Sequence, residues 1–297
     1  MLLRWTVIAA FAALVALPGS AQTFETQLKA GAQLSRDLAF PSEPKELSLF
    51  SNPEMAIYKP AGTGPFPAVV LLHNCGGVRS EILEWAKRSL NKGYVVFVLD
   101  SLGPRGLKSN CYPPTTVYPS RGVRDVFQAR EHLKKFPFVD ANRIALIGFS
   151  FGATVTLIAS NSEGANALSV DGGRFNAAVA FYPMCNFPGT PKYPGSYEYL
   201  RQTTDKPLLV LMGEADNETP PSECLPRLDA LKAKGAPVES HLYPATTHCW
   251  DCESNGGKSK IDFLGNAISY RYDRAVTDDS ARRTFEFLES KMPATKN

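Results

Sequence analysis

Arg143-Ile144-Ala145-Leu146-Ile147-Gly148-Phe149-Ser150-Phe151-Gly152-Ala153-Thr154-Val155-Thr156-Leu157 reads as a strand, a sharp turn and a helix in one line. Its centre, Gly148 to Gly152, fits G-x-S-x-G, the pattern that sets a serine on a tight strand-to-helix turn. The strand over 143–148 is apolar, and the helix over 150–160 is rich in small and apolar residues. A turn that tight strains the serine backbone and brings chain segments close together, which glycine on either side permits. The helix N-terminus behind Ser150 also presents backbone N–H groups to any negative charge that develops there.

Outward from the turn, Pro67-Ala68-Val69-Val70-Leu71-Leu72-His73 and Tyr94-Val95-Val96-Phe97-Val98-Leu99 are near-continuous apolar runs. Such runs mark strands covered on both faces. Further strands are expected over 177–181, 207–212 and 238–243. Helices are expected from Ser80 to a stop at Lys92 and Gly93, and over 122–136, 221–234 and 278–292. Leu47-Ser48-Leu49-Phe50 and Met55-Ala56-Ile57-Tyr58 read as an antiparallel opening pair. The alternation predicts an α/β fold, a mostly parallel central sheet with helices on both faces. The expected organisation is a signal peptide over 1–21, an arm lying on the domain over 22–45, and one domain over 46–297. Irregular stretches over 101–120, 186–206 and 249–272 each follow the C-terminal end of a strand, where open parallel sheets place their ligand sites.

A serine hydroxyl is a weak nucleophile without an adjacent base. Of four histidines, His132 falls on the helix before the turn and is expected to face solvent, His241 lies inside the last strand, and His73 ends an early strand. His248, in Tyr243-Pro244-Ala245-Thr246-Thr247-His248, follows the final strand at the edge that carries Ser150, and is the expected base. Asp216, in Gly213-Glu214-Ala215-Asp216, is the expected orienting carboxylate, because a short side chain suits the turn after Gly213. Glu214 and Glu218 are its rivals in the same loop. The order Ser150, Asp216, His248 is that of α/β-hydrolases. An oxyanion would then take the N–H of Phe151 and one more, from Asn74 or Cys75 in Leu72-His73-Asn74-Cys75-Gly76-Gly77.

Of 297 residues, 44% are hydrophobic and 21% charged, which excludes a disordered or fibrous chain. The formal charge of +3 comes with no basic block, so nothing points to nucleic acid. Met1-Leu2-Leu3-Arg4, an apolar run over 5–17 and Pro18-Gly19-Ser20-Ala21 read as a cleaved signal peptide. The run is shorter than the roughly 20 residues of a spanning helix, and an uncleaved anchor is the alternative. The expected chain is exported, periplasmic or secreted, with no stable membrane anchor after cleavage and cysteines open to oxidation. Cys249 and Cys252 beside His248 resemble half of a zinc set, but the second half is missing, so no metal is expected. Neither a P-loop nor G-x-G-x-x-G occurs, so no cofactor is expected either. Nothing in the sequence sets an oligomeric state.

Taken in order, His73-Asn74-Cys75-Gly76-Gly77, Val139-Asp140-Ala141-Asn142-Arg143-Ile144 leading into Gly148 to Gly152, Gly213 to Asp216, and Tyr243 to His248 resemble the dienelactone hydrolase family. The likeness runs over about 56–292. It implies an α/β-hydrolase fold and hydrolysis of a small-molecule carboxylic ester or lactone through an acyl-enzyme. Alternatives are an amidase or peptidase with the same triad, and a catalytically silent exported binding protein of the same fold. Cytosolic members use a cysteine where Ser150 stands here, and carry a glutamate in the loop that here holds Asn74. The family's thiol chemistry, and dienelactone as substrate, are therefore not implied. The family's substrate-carboxylate arginine has a counterpart in Arg105, with Arg121 beyond it. In that sheet Cys75 and Cys111 follow neighbouring strands, as do Cys185 and Cys224, so each pair is expected to bridge. Cys249 and Cys252 are left to pair locally, and buried free thiols are the alternative if export fails.

Overall fold

The computed structural model describes residues 24–33, 35–112, 117–189, 196–262 and 264–293, so the expected leader over 1–21 lies outside them. Seven strands form the central sheet: β1 (Ala56–Tyr58), β2 (Phe66–Leu72), β3 (Val95–Leu99), β4 (Val139–Phe149), β5 (Ala177–Phe181), β6 (Leu208–Gly213) and β7 (Val238–Tyr243). Their spatial order is β1-β3-β2-β4-β5-β6-β7. Only β1 runs antiparallel, with Ala56 opposite Val98; the other pairings are parallel.

The apolar runs explain the layering. Along β2, Ala68, Val70 and Leu72 point into one core, and Val69 and Leu71 into the other. Along β3, Val95, Phe97 and Leu99 oppose Val96 and Val98 in the same way. Burying each such Val or Leu contributes about 1.5–3 kcal/mol, so a strand without polar alternation is stable only between two helical layers. One layer holds α1 (Phe24–Gln33), α3 (Pro119–Leu133), α4 (Phe151–Ala159), α5 (Ser162–Leu168) and α6 (Leu225–Ala233); the other holds α2 (Ser80–Asn91) and α7 (Arg274–Lys291).

Several expectations need correcting. The stretch 47–50 is a turn, not a strand: Ser48 N–H bonds Ser51 Oγ at 3.0 Å, and Leu49 and Phe50 are exposed. Lys45 N–H takes the place beside β1, donating to Ile57 O at 2.7 Å. The arm contains α1, whose Leu28 and Ala32 pack in the core that holds α3 and α5. Two apolar contacts one turn apart were too sparse a signal to read. α3 starts at Pro119 rather than 122, because proline at a first helical position has no N–H to leave unpaired. α7 starts at Arg274 rather than 278, where Asp273 Oδ1 accepts from Val276 N–H at 3.0 Å. The segment 221–234 divides into a 3₁₀ turn, Pro221–Glu223, and α6. His132 does not face solvent: its ring packs on Phe40, Phe97 and Phe136, and its Nε2 lies 2.7 Å from Pro41 O.

The loops after β2, β4, β6 and β7 gather at one edge of the sheet, as the strand directions require. Disulfides join Cys75 to Cys111, Cys185 to Cys224 and Cys249 to Cys252. The first two link loops after adjacent strands, β2 with β3 and β5 with β6. Among the described residues no helix is long and apolar enough to cross a membrane.

Candidate active site

Ser150 sits between β4 and α4 at φ 51° and ψ −109°. For a non-glycine residue that backbone costs on the order of 1–3 kcal/mol and persists only if its surroundings fix it. They do: Ser150 N–H bonds Phe181 O on β5 at 3.0 Å, and Gly152 N–H bonds His73 O after β2 at 3.2 Å. The glycines are sterically required. A Cβ on Gly148 would stand 2.1 Å from Gly152 O, and one on Gly152 2.2 Å from Leu72 O.

His248 brings Nε2 to 3.0 Å from Ser150 Oγ and Nδ1 to 2.7 Å from Asp216 Oδ2. Asp216 is itself fixed: Oδ1 accepts the N–H groups of Glu218 and Thr219, both at 2.9 Å. With Nδ1–H donating to Asp216, the Nε2 lone pair faces the serine hydroxyl. Thr219 Oγ1 lies 2.9 Å from Asp216 Oδ2, 3.1 Å from Tyr182 O and 3.1 Å from His248 Nδ1. Of the rivals, Glu214 points away and accepts from Ala245 N–H at 3.0 Å. Glu218 stands on the other side of the imidazole, with Oε2 3.9 Å from Nε2. Lys260 Nζ holds its Oε1 at 2.7 Å, and Tyr270 hydroxyl donates to Oε2 at 2.6 Å.

Burial alone would lower the His248 pKa, but the Asp216 and Glu218 carboxylates outweigh it and raise it above the ordinary 6.5. Burial likewise works against ionised Glu218, yet His248, Lys260 and Tyr270 hold its carboxyl below its usual range. Burial pushes the Asp251 carboxyl up, although Tyr182 hydroxyl and Trp85 Nε1–H each donate to it at 2.7 Å. A base must be neutral to accept a proton, so kcat/KM is expected to fall as pH drops through this raised pKa, with a midpoint above 6.5. Glu218→Gln removes one of the two carboxylates responsible and should move that midpoint down, raising the rate at pH 6 relative to pH 8. A pH profile with an unmoved midpoint would contradict this role.

In the loop after β2, Asn74 is spent on its own turn: Oδ1 accepts from Gly76 N–H at 2.8 Å and Nδ2 donates to Glu81 at 3.2 Å. His73 Nδ1–H donates to Asn74 O at 2.6 Å while Nε2 accepts from Ser101 N–H at 3.0 Å. Burial keeps this ring neutral by lowering its pKa. The N–H groups of Phe151 and Cys75 have no acceptor among the described residues.

Two cavities meet at Ser150, and Cys75 and Glu218 border both. The larger, of about 310 Å³, is lined also by His248, Arg79, Lys258 and Lys260. The smaller, of about 140 Å³, is walled by Phe151, Thr154, Met184, Tyr199 and Leu264. Arg105 lines neither, which corrects its expected place above the pocket. Its guanidinium grips buried Asp125 at 2.7 and 2.9 Å and donates to Ser101 O and Arg36 O. Arg121 is spent on the same carboxylate. Cys249 and Cys252 lie near Asp251 but are bonded to each other, so the half-set of zinc ligands offers no thiolate.

Glu218, expected as a rival of Asp216 in the same loop, lies in that loop but faces Nε2 rather than Nδ1 of His248, and Thr219, Tyr182, Lys260 and Tyr270 were not expected at the site. The Thr219 hydroxyl three residues past Asp216 was a local signal; the others come from distant loops.

A model of the dienelactone hydrolase family matches residues 54–292. The chain belongs to the dienelactone hydrolase family. A candidate carboxymethylenebutenolidase of Yersinia pestis is 24% identical over 232 residues, covering 73% of this chain and 79% of that protein. Dipeptidyl-peptidase 5 of Porphyromonas gingivalis is 24% identical over 209 residues, 62% of this chain; the match spans only 30% of that protein's length. Among solved structures, a candidate dienelactone hydrolase from Klebsiella pneumoniae superposes with a TM-score of 0.57 at 21% identity, covering 79% of this chain and 92% of its own. Esterase 2 of Thermogutta terrifontis with propionate bound gives 0.57 at 17%, covering 82% and 91%. At these identities the likenesses show a shared fold, while membership of the dienelactone hydrolase family supports a serine hydrolase.

Proposed function

We propose that this dienelactone hydrolase family member cleaves a carboxylic ester or lactone through an acyl-enzyme on Ser150. The carrying observation is the buried line Ser150 Oγ, His248, Asp216, with steps of 3.0 and 2.7 Å. Ser150 Oγ attacks the acyl carbon while His248 Nε2 takes its proton; Asp216 holds the tautomer and steadies the imidazolium. The N–H groups of Phe151 and Cys75 receive the oxyanion. The proton then passes from Nε2 to the departing oxygen, and water repeats the cycle to release the acid. Three disulfides favour an oxidising compartment, which supports export as the leader-like N-terminus suggests.

A fluorophosphonate probe tests this reading. Stoichiometric labelling of Ser150, abolished in the His248→Ala variant, is expected. A folded protein that resists labelling would instead be a silent binding protein. Turnover of anilides as fast as matched phenyl esters would make it an amidase.

A further inference from the structure

We infer that the two cavities at Ser150 divide the substrate by size and charge: the smaller takes a short, uncharged acyl group, and the larger takes a leaving group that carries negative charge. This rests on the acyl-enzyme reading above and assigns each half of the substrate within it.

Proton delivery fixes the direction. As the bond from acyl carbon to alcohol oxygen breaks, that oxygen must collect the proton from His248 Nε2, so the leaving group has to lie on the histidine side. Of the two cavities, only the larger is lined by His248. The oxyanion turns toward Phe151 N–H at the start of α4, which leaves the acyl substituent the remaining direction, into the space among Phe151, Thr154 and Met184. That space, about 140 Å³, equals the liquid volume of roughly five waters and suits a chain of a few carbons.

Charge is distributed to match. Arg79, Lys258 and Lys260 line the leaving-group cavity against one carboxylate, Glu218. Lys260 is paired with Glu218, whereas Arg79 and Lys258 are exposed and form no ion pair with the described residues. Among the described residues, the lining of the acyl cavity holds no cation and two carboxylates, Glu218 and Asp262. Asp262 has its oxygens filled by Leu264 N–H, Asn266 N–H and Asn266 Nδ2. An acyl chain ending in a carboxylate would meet like charge there, with no counter-ion among the described lining residues. The same carboxylate on the alcohol would meet unpaired cations.

The test compares four esters with the purified protein, each kcat/KM divided by the ester's alkaline hydrolysis rate: phenyl acetate, 4-acetoxybenzoate, phenyl hexanoate and monophenyl succinate. We expect 4-acetoxybenzoate to lead phenyl acetate by about fivefold to tenfold at low salt, the range open to two exposed charges, and the lead to shrink at high salt. Phenyl hexanoate and monophenyl succinate should fall at least about tenfold below phenyl acetate. Arg79→Gln with Lys258→Gln should bring the 4-acetoxybenzoate to phenyl acetate ratio toward one. Met184→Ala should raise phenyl hexanoate relative to phenyl acetate. Monophenyl succinate matching phenyl acetate, or a ratio untouched by the double substitution, would overturn the assignment while leaving the ester reading standing. No turnover of any of the four would overturn both.

Discussion

Ser150→Ala is expected to lower ester turnover by about five to six powers of ten, because members of such a triad act as a unit. The turn that carries the serine is fixed by Ser150 N–H on β5 and Gly152 N–H on His73 O after β2, and the serine faces an imidazole whose other nitrogen is already committed to Asp216. Removing the hydroxyl leaves the oxyanion donors and the pocket intact but nothing to form the acyl bond. His248→Ala should cost about as much, and Asp216→Asn less, since Nε2 still reaches Oγ. Steady-state kinetics on phenyl acetate, with circular dichroism to verify folding, reads this out. Activity of Ser150→Ala within tenfold of the parent would place the nucleophile elsewhere.

Asp125→Ala should destabilise the fold by about 3–5 kcal/mol, the usual cost of stranding a buried charge by deleting its partner. Asp125 is fully buried on α3 and binds Arg105 and Arg121 together, with Ser101 hydroxyl donating to Oδ2 at 2.9 Å. Without it two buried guanidinium groups lose their shared counter-charge. Arg121 also donates to Ala32 O and Ser35 O, and Arg105 to Arg36 O, so the N-terminal arm would loosen as well. Equilibrium urea unfolding measures the loss. The exposed pair Lys29–Glu25 serves as contrast, and Glu25→Ala should change stability by no more than about 0.5 kcal/mol. A midpoint for Asp125→Ala indistinguishable from the parent would show that the cluster contributes little.

The sheet was legible because β2, β3, β5 and β6 need two covering layers, and sequence shows that as unbroken Val, Leu, Ala and Phe. Ser150, Asp216 and His248 were legible because each follows a strand closely, so the sheet edge alone brings them together. Two disulfide pairs followed from neighbouring strands in the sheet that the family resemblance implies, and Cys249 and Cys252 were the pair left over. Arg105 was misplaced for the opposite reason. Its neighbourhood depends on Asp125, twenty residues on, and on an arm whose helix α1 carries only two core side chains. Glu218 illustrates a finer limit: proximity to Asp216 in sequence could not say which nitrogen of His248 it would face.

Trapping the acyl-enzyme tests the central claim most directly. Purified protein mixed with excess 4-nitrophenyl acetate and quenched in acid within the first turnovers should gain the mass of one acetyl group, and peptide mapping should put it on Ser150. Asp216→Asn or a lowered pH should prolong the species. An acetyl group on another side chain, or steady hydrolysis with no covalent intermediate at any time, would contradict it.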